Sequence, residues 1–124
     1  MTSLLWFRRD LRLADHPALL EASSVGDVLP VFILDPRQLA GPEAVSRTYL
    51  FRSLRALNEQ LDGRLCVRAG LPEELIPMLS REVEAKSVHI SADYGNFGRV
   101  RDAAVEAKLG NTPLIRTGSQ YAVA

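Results

Sequence analysis

The sequence predicts an α/β fold: an open, all-parallel, doubly wound sheet with helices on both faces. Three observations predict it. Short apolar runs alternate with amphipathic stretches along the whole chain. The runs are continuous rather than alternating, as in strands buried on both faces. Each connection is long enough for a helical crossover, which forces parallel pairing and right-handed connections. A length of 124 residues suits one domain, spanning residues 1–124.

The elements follow in order. Ser3–Phe7 is the first strand. A helix begins at Asp15-His16-Pro17, with Asp15 as its cap, Pro17 in its first turn, and Leu19 and Leu20 facing inward. Val28–Leu34 is the second strand, and Pro30 argues for a start near Val31 or an edge position. Asp35-Pro36 ends it, and a polar loop with Gly41-Pro42 follows.

Ser46–Leu61 is the clearest helix, because Leu50, Leu54, Leu57 and Leu61 form one apolar stripe. Asp62-Gly63 stops it, and Leu65–Arg68 is the third strand. Leu71–Glu84 is the next helix, with Leu75, Leu79 and Val83 inward and Pro77 removing one backbone donor. Ser87–Ile90 is the fourth strand. Asn96–Lys108 is a helix with Phe97, Val100, Ala104 and Ala107 inward, and Gly110 ends it. Pro113–Ile115 is the fifth strand, ahead of a tail of apolar and small residues. The whole reads as a five-stranded, Rossmann-like arrangement.

Composition narrows the function. With 47% hydrophobic and 24% charged residues, the chain is an average globular one and not a disordered one. No run approaches the ~20 apolar residues of a membrane span. At the N-terminus the basic pair Arg8-Arg9 follows the apolar run, the wrong order for a secretory signal. A single cysteine, Cys66, excludes an internal disulfide and a cysteine-rich zinc site. These features point to the cytoplasm, with no metal. The net charge is zero, so nothing draws the chain to a phosphate backbone.

In doubly wound sheets, ligands settle beyond the carboxyl ends of the strands where strand order reverses. The residues there are Arg8, Arg9, Asp10 and Arg12 after the first strand, Asp35 after the second, and Ser91, Asp93 and Tyr94 after the fourth. No glycine-rich phosphate loop follows any strand, which disfavours a phosphate-anchored dinucleotide or ATP. The third strand ends without an aspartate, which disfavours a receiver-type phosphorylation module. His16 reads as a capping or surface residue, His89 as a packed, hydrogen-bonded strand histidine, and Cys66 as a small buried hydrophobe. No nucleophilic triad or metal set can be built from them, so no catalytic residue is expected. The run Arg8-Arg9-Asp10-Leu11-Arg12 carries two compatible readings: a structural ion-pair cluster, or the wall of a site for an anionic or planar ligand.

The run Trp6-Phe7-Arg8-Arg9-Asp10-Leu11-Arg12-Leu13-Ala14-Asp15 closely resembles the opening of the DNA photolyase and cryptochrome family. Val31–Pro36, Ser46–Phe51, Gly98-Arg99-Val100-Arg101-Asp102 and Thr117–Val123 resemble further family segments in the expected order. The resemblance implies the N-terminal antenna domain of a deoxyribodipyrimidine photolyase. Such enzymes split pyrimidine dimers in DNA by light-driven electron transfer from reduced FAD. It implies too that FAD and the damaged DNA belong to a helical C-terminal domain of the parent chain. This chain then has no repair activity alone, and its partner is that domain. In the family, the N-terminal domain contributes to binding a second chromophore: a folate, an 8-hydroxy-5-deazaflavin or, in some members, a flavin. Folate-type members carry Asn-Glu where this chain has Phe97-Gly98, so the resemblance favours a deazaflavin. It places Asp35, Arg47 and Asp93 near the chromophore, with Leu34 and Leu50 as apolar walls and Arg9 bracing the site. The alternatives are the same domain of a cryptochrome photoreceptor, a stand-alone small-molecule-binding α/β domain, and a docking module with an exposed apolar face.

Overall fold

The computed structural model describes residues 1–24, 26–40 and 46–118. Five strands, β1 (Thr2–Phe7), β2 (Asp27–Leu34), β3 (Cys66–Ala69), β4 (Val88–Ser91) and β5 (Leu114–Thr117), form one parallel sheet in the order β3-β2-β1-β4-β5. The doubly wound α/β arrangement is therefore realised. Helices α1 (Pro17–Ser23) and α3 (Arg47–Gln60) cover one face, and α4 (Pro72–Glu82) and α5 (Asn96–Leu109) the other. A single-turn helix, α2 (Pro36–Leu39), follows β2 and was not foreseen.

The pleat of β1 divides the core. Leu4 and Trp6 pack with Val31, Ile33, Ile76, Leu79, Ile90, Val105 and Leu109 on the α4/α5 side. Leu5 and Phe7 pack with Ala18, Phe32, Leu54, Leu57 and Leu61 on the other. Each fully buried large side chain contributes roughly 1.5–3 kcal/mol. The leucine stripe of α3 faces the core as its spacing requires: Leu54, Leu57 and Leu61 are buried and Leu50 is half-buried.

Several expectations change. His16, not Asp15, caps α1: its Nδ1 accepts the Leu19 N–H at 3.1 Å, and Asp15 stands at a positive φ ahead of it. Leu20 is 72% exposed, because the short α1 lays its small residues Ala18 and Ala22 on the sheet. Pro30 lies within β2, an interior strand; the ladder to β3 begins only at Val31, so Pro30 costs no bond on that flank. Cys66 is half-buried, since β3 is a short edge strand.

The largest reversal is in α5. Phe97 and Val100 are exposed, at 45% and 70%, Ala107 is exposed and Ala104 is half-buried. The face turned to the protein is Gly98, Arg101, Asp102, Val105 and Leu109. The loop at Gly41-Pro42 and the tail from Ser119 lie outside the described residues.

Candidate functional site

The winding direction reverses at β1 and β4, which are neighbours in the sheet. The chain beyond their carboxyl ends is held by buried charges. Arg8 turns inward: its Nη1 donates to Asp102 Oδ1 at 2.7 Å, and its Nη2 donates to the Ser91 carbonyl. Arg101 Nε donates to the same Asp102 oxygen at 3.1 Å, and its Nη2 reaches Asp93 Oδ2 at 3.3 Å. Arg8 and Arg101 lie against Trp6, 4.8 and 5.3 Å from its ring centroid. Guanidinium faces on a buried indole are a favourable cation–π arrangement. Phe97 continues the column between Arg101 and Arg37, at 5.7 and 5.3 Å, which is why it leaves the core.

Asp10 is fixed from three sides. Its Oδ1 accepts the Arg8 N–H at 2.8 Å, its Oδ2 accepts the Ser91 hydroxyl at 2.6 Å, and His16 Nε2 lies 2.7 Å from that same oxygen. Burial alone would raise its pKa. The imidazole, the hydroxyl and the amide outweigh burial and hold the carboxyl well below the usual carboxylate range. Asp35 caps α2 by accepting the Arg37 N–H at 2.9 Å. The Arg37 guanidinium closes on Asp35 at 2.7 Å and on Glu73 of α4, also at 2.7 Å. Burial opposes the charge on Asp35, but Arg37 prevails and lowers its pKa. The Asp35 carboxylate is thus committed to bracing the loop after β2.

Between these braces opens a cavity of about 330 Å³. Phe7, Phe32, Leu34 and Leu50 give it apolar walls, and Arg9, Asp35, Asp93 and Arg101 stand at its polar side. Such a mix of apolar walls and few polar groups is usual for small-molecule sites. Five of the residues singled out in the sequence, Arg9, Leu34, Asp35, Leu50 and Asp93, are brought together here. Arg47, the first residue of α3, is exposed and is not among the lining residues. Of the Arg8–Arg12 run, Arg8 builds the ion-pair cluster through Asp102, as the structural reading has it, and Arg9 lines the cavity.

Asp93 depends on Gly98. Its Oδ1 accepts the Gly95 N–H at 3.0 Å, and its carboxylate lies where a Cβ on residue 98 would stand, 2.1 Å from the nearest oxygen. Arg37, Arg101 and Trp6 were not singled out as site residues. The only sequence signal for Arg101 was its place in the family-like segment Gly98-Arg99-Val100-Arg101-Asp102. Elsewhere, His89 Nε2 pairs with the Ser87 hydroxyl at 2.7 Å, as a packed strand histidine should. Among the described residues, no group of three or more His, Cys, Asp or Glu is placed to hold a metal ion, and no helix is long and apolar enough to cross a membrane.

Comparison with known proteins gives a consistent answer. Residues 3–124 match the DNA photolyase family. The deoxyribodipyrimidine photo-lyase of Thermus thermophilus is 42% identical over 109 residues, covering 86% of this chain and 26% of that protein. The crystal structure of a Synechocystis cryptochrome superposes with a TM-score of 0.84 at 28% identity, over 94% of this chain and 26% of that one. An archaeal photolyase from Sulfolobus tokodaii superposes with a TM-score of 0.80 at 30% identity, over 96% of this chain and 29% of that one. That structure holds two FAD molecules, with the implication of a novel light-harvesting cofactor. The chain thus spans about a quarter of the length of these relatives.

Proposed function

The chain belongs to the DNA photolyase family, and on that premise we propose that it is the N-terminal light-harvesting domain of a deoxyribodipyrimidine photolyase, built to hold an antenna chromophore. The cavity bounded by Phe32, Leu34, Leu50, Arg9 and Asp93 carries this reading. Its volume of about 330 Å³ suits one planar ring system. Leu34 and Leu50 would grip the faces of the ring. Asp93, held by Gly95 and Arg101 and partly open to solvent, would accept a hydrogen bond from a ring N–H or hydroxyl. Arg9 would balance charge at the edge.

The ring fitted to these groups is of the 8-hydroxy-5-deazaflavin type, because no second carboxylate and amide stand at Phe97-Gly98 to hold a pterin. When bound, such a chromophore absorbs light and passes the excitation to FAD. In the parent protein we place that FAD, and the damaged DNA whose pyrimidine dimers are split, in a further helical domain.

The test is a fluorescence titration of the chain with 8-hydroxy-5-deazaflavin, with a reduced folate as the comparison. The deazaflavin is expected to bind and the folate to bind more weakly. Asp93→Ala should weaken deazaflavin binding roughly tenfold, the worth of one hydrogen bond to a charged group. Leu50→Arg should abolish it by filling the cavity. Arg47→Ala should have the smaller effect, since Arg47 stands outside the lining. Unchanged binding in both Asp93→Ala and Leu50→Arg would remove the site from this cavity.

A further inference from the structure

We propose that Arg8 and Arg101 protect the excited state of the bound ring by making Trp6 a poor electron donor. The proposal rests on the antenna reading and gives a task to two arginines outside the set that grips the ring. An antenna must keep its excitation until it is passed on. An electron-rich side chain beside an excited ring is a common way to lose it. Among the described residues that line the ring cavity, Trp6 and Tyr49 are the two of that kind. Tyr49 is largely exposed, whereas Trp6 is buried at the end of β1. In the loss, one electron leaves the Trp6 indole for the excited ring and then returns, and the light energy ends as heat. No bond forms or breaks, no proton moves, and both partners end unchanged. In between, the indole carries a full positive charge.

The two guanidiniums act on that charge. They lie 4.8 and 5.3 Å from the indole centroid. Against the neutral indole these contacts are attractive, because a cation meets the negative face of the π system. Against the oxidised indole the same contacts repel, and burial strengthens the repulsion. The arginines thus raise the charge-separated state and not the ground state. Both side chains are held in place, at 8% and 2% exposure, and their N–H groups are taken by Asp102, the Ser91 carbonyl and Asp93. Their charge is therefore kept against the indole rather than turned to a ring in the cavity. One buried carboxylate, Asp102, serves both cations. Asp93, the other partner of Arg101, stands off at 3.3 Å and is partly open to water, which screens it. Beyond Arg101 the stack continues through Phe97, and a phenyl ring gives up an electron far less readily than an indole. A positive charge on Trp6 has no easy next site along that column.

The test is the fluorescence lifetime of 8-hydroxy-5-deazaflavin bound to the chain at saturation, with folding checked by circular dichroism. Arg101→Gln removes a charge 5.3 Å from the indole and should shorten the lifetime roughly threefold or more. In a Trp6→Phe background the same substitution should no longer shorten it, whereas in a Tyr49→Phe background the shortening should remain. A wild-type lifetime in Arg101→Gln, or a shortening that persists without Trp6, would overturn the proposal and leave the ring cavity standing. Should Arg101→Gln fail to fold or to bind, Trp6→Phe alone decides. A lifetime equal to the wild type's upholds the proposal, and a clearly longer one shows that Trp6 drains the excited state despite its arginines and overturns it. Failure of the deazaflavin to bind the wild-type chain would overturn the antenna reading, and the proposal with it.

Discussion

Asp102 shows how a single side chain can hold this architecture. One of its oxygens receives both Arg8 and Arg101, and all three groups are withdrawn from solvent. Burial pushes the Arg8 guanidinium below its ordinary range, and the neighbouring Asp102 partly restores it. Removing the carboxylate charge leaves two buried cations facing one another. Asp102→Asn, which keeps the shape, is therefore expected to cost about 3–5 kcal/mol in urea unfolding. A loss below about 1 kcal/mol would mean that the arginines find water instead. His89 makes the opposite kind of prediction. Burial lowers its pKa below the ordinary 6.5, against a weaker pull from Glu21, so the folded protein favours the neutral ring. The unfolded chain then binds more protons as pH falls below 6.5, and stability must fall with it. Asp10 adds a second loss further down: its stabilisation is present above its ordinary 3.8 and disappears as pH drops below that value. Melting temperature measured against pH should show the first decline, and His89→Gln should flatten it.

Helix α5 sets the limit on what element-level patterns reveal. Its outward residues Phe97 and Val100 are apolar, and its inward ones include Gly98, Arg101 and Asp102. Hydropathy periodicity assigns arginine and aspartate to the surface, and so it turned the helix the wrong way. Only the pairing of Arg101 and Asp102 with Arg8, on a strand end far away in sequence, makes their burial tolerable. Helix α3 had no such conflict, and its leucines alone gave its orientation. The strands were legible from their continuous apolar runs, with ends displaced by a residue or so, whereas α2 is too short to leave a pattern. The same logic explains the site. Leu34, Leu50 and Asp93 followed from family-like segments at strand and helix ends, while the role of Arg37 as a clamp between Asp35 and Glu73 depends on α4 passing alongside. Chemical denaturation can check the turned face of α5. Val100→Ser should change stability by no more than about 0.5 kcal/mol, and Leu109→Ala should cost about 2–5 kcal/mol. Comparable losses at the two positions would restore the orientation that hydropathy suggests.

For the molecule as a whole, the doubly wound sheet gathers the segments after β1, β2 and β4 around one hollow, and the two core layers fix those segments from behind. A ligand that enters this hollow meets groups contributed by most of the chain. Binding should therefore raise the stability of the entire domain, by about 2.7 kcal/mol when ligand is present at 100 times its Kd. A thermal melt with and without the deazaflavin reads this as one cooperative transition moving upward. Movement of a minor phase alone would confine the ligand to a local flap. One further consequence follows from the position of Trp6. It is the sole tryptophan of the chain, it is 2% exposed, and it forms part of the hollow's lining while two arginines hold its ring still. The domain thereby contains its own optical reporter: a ring bound in the hollow would lie beside this indole, so a change in tryptophan emission would follow occupancy without attaching any label.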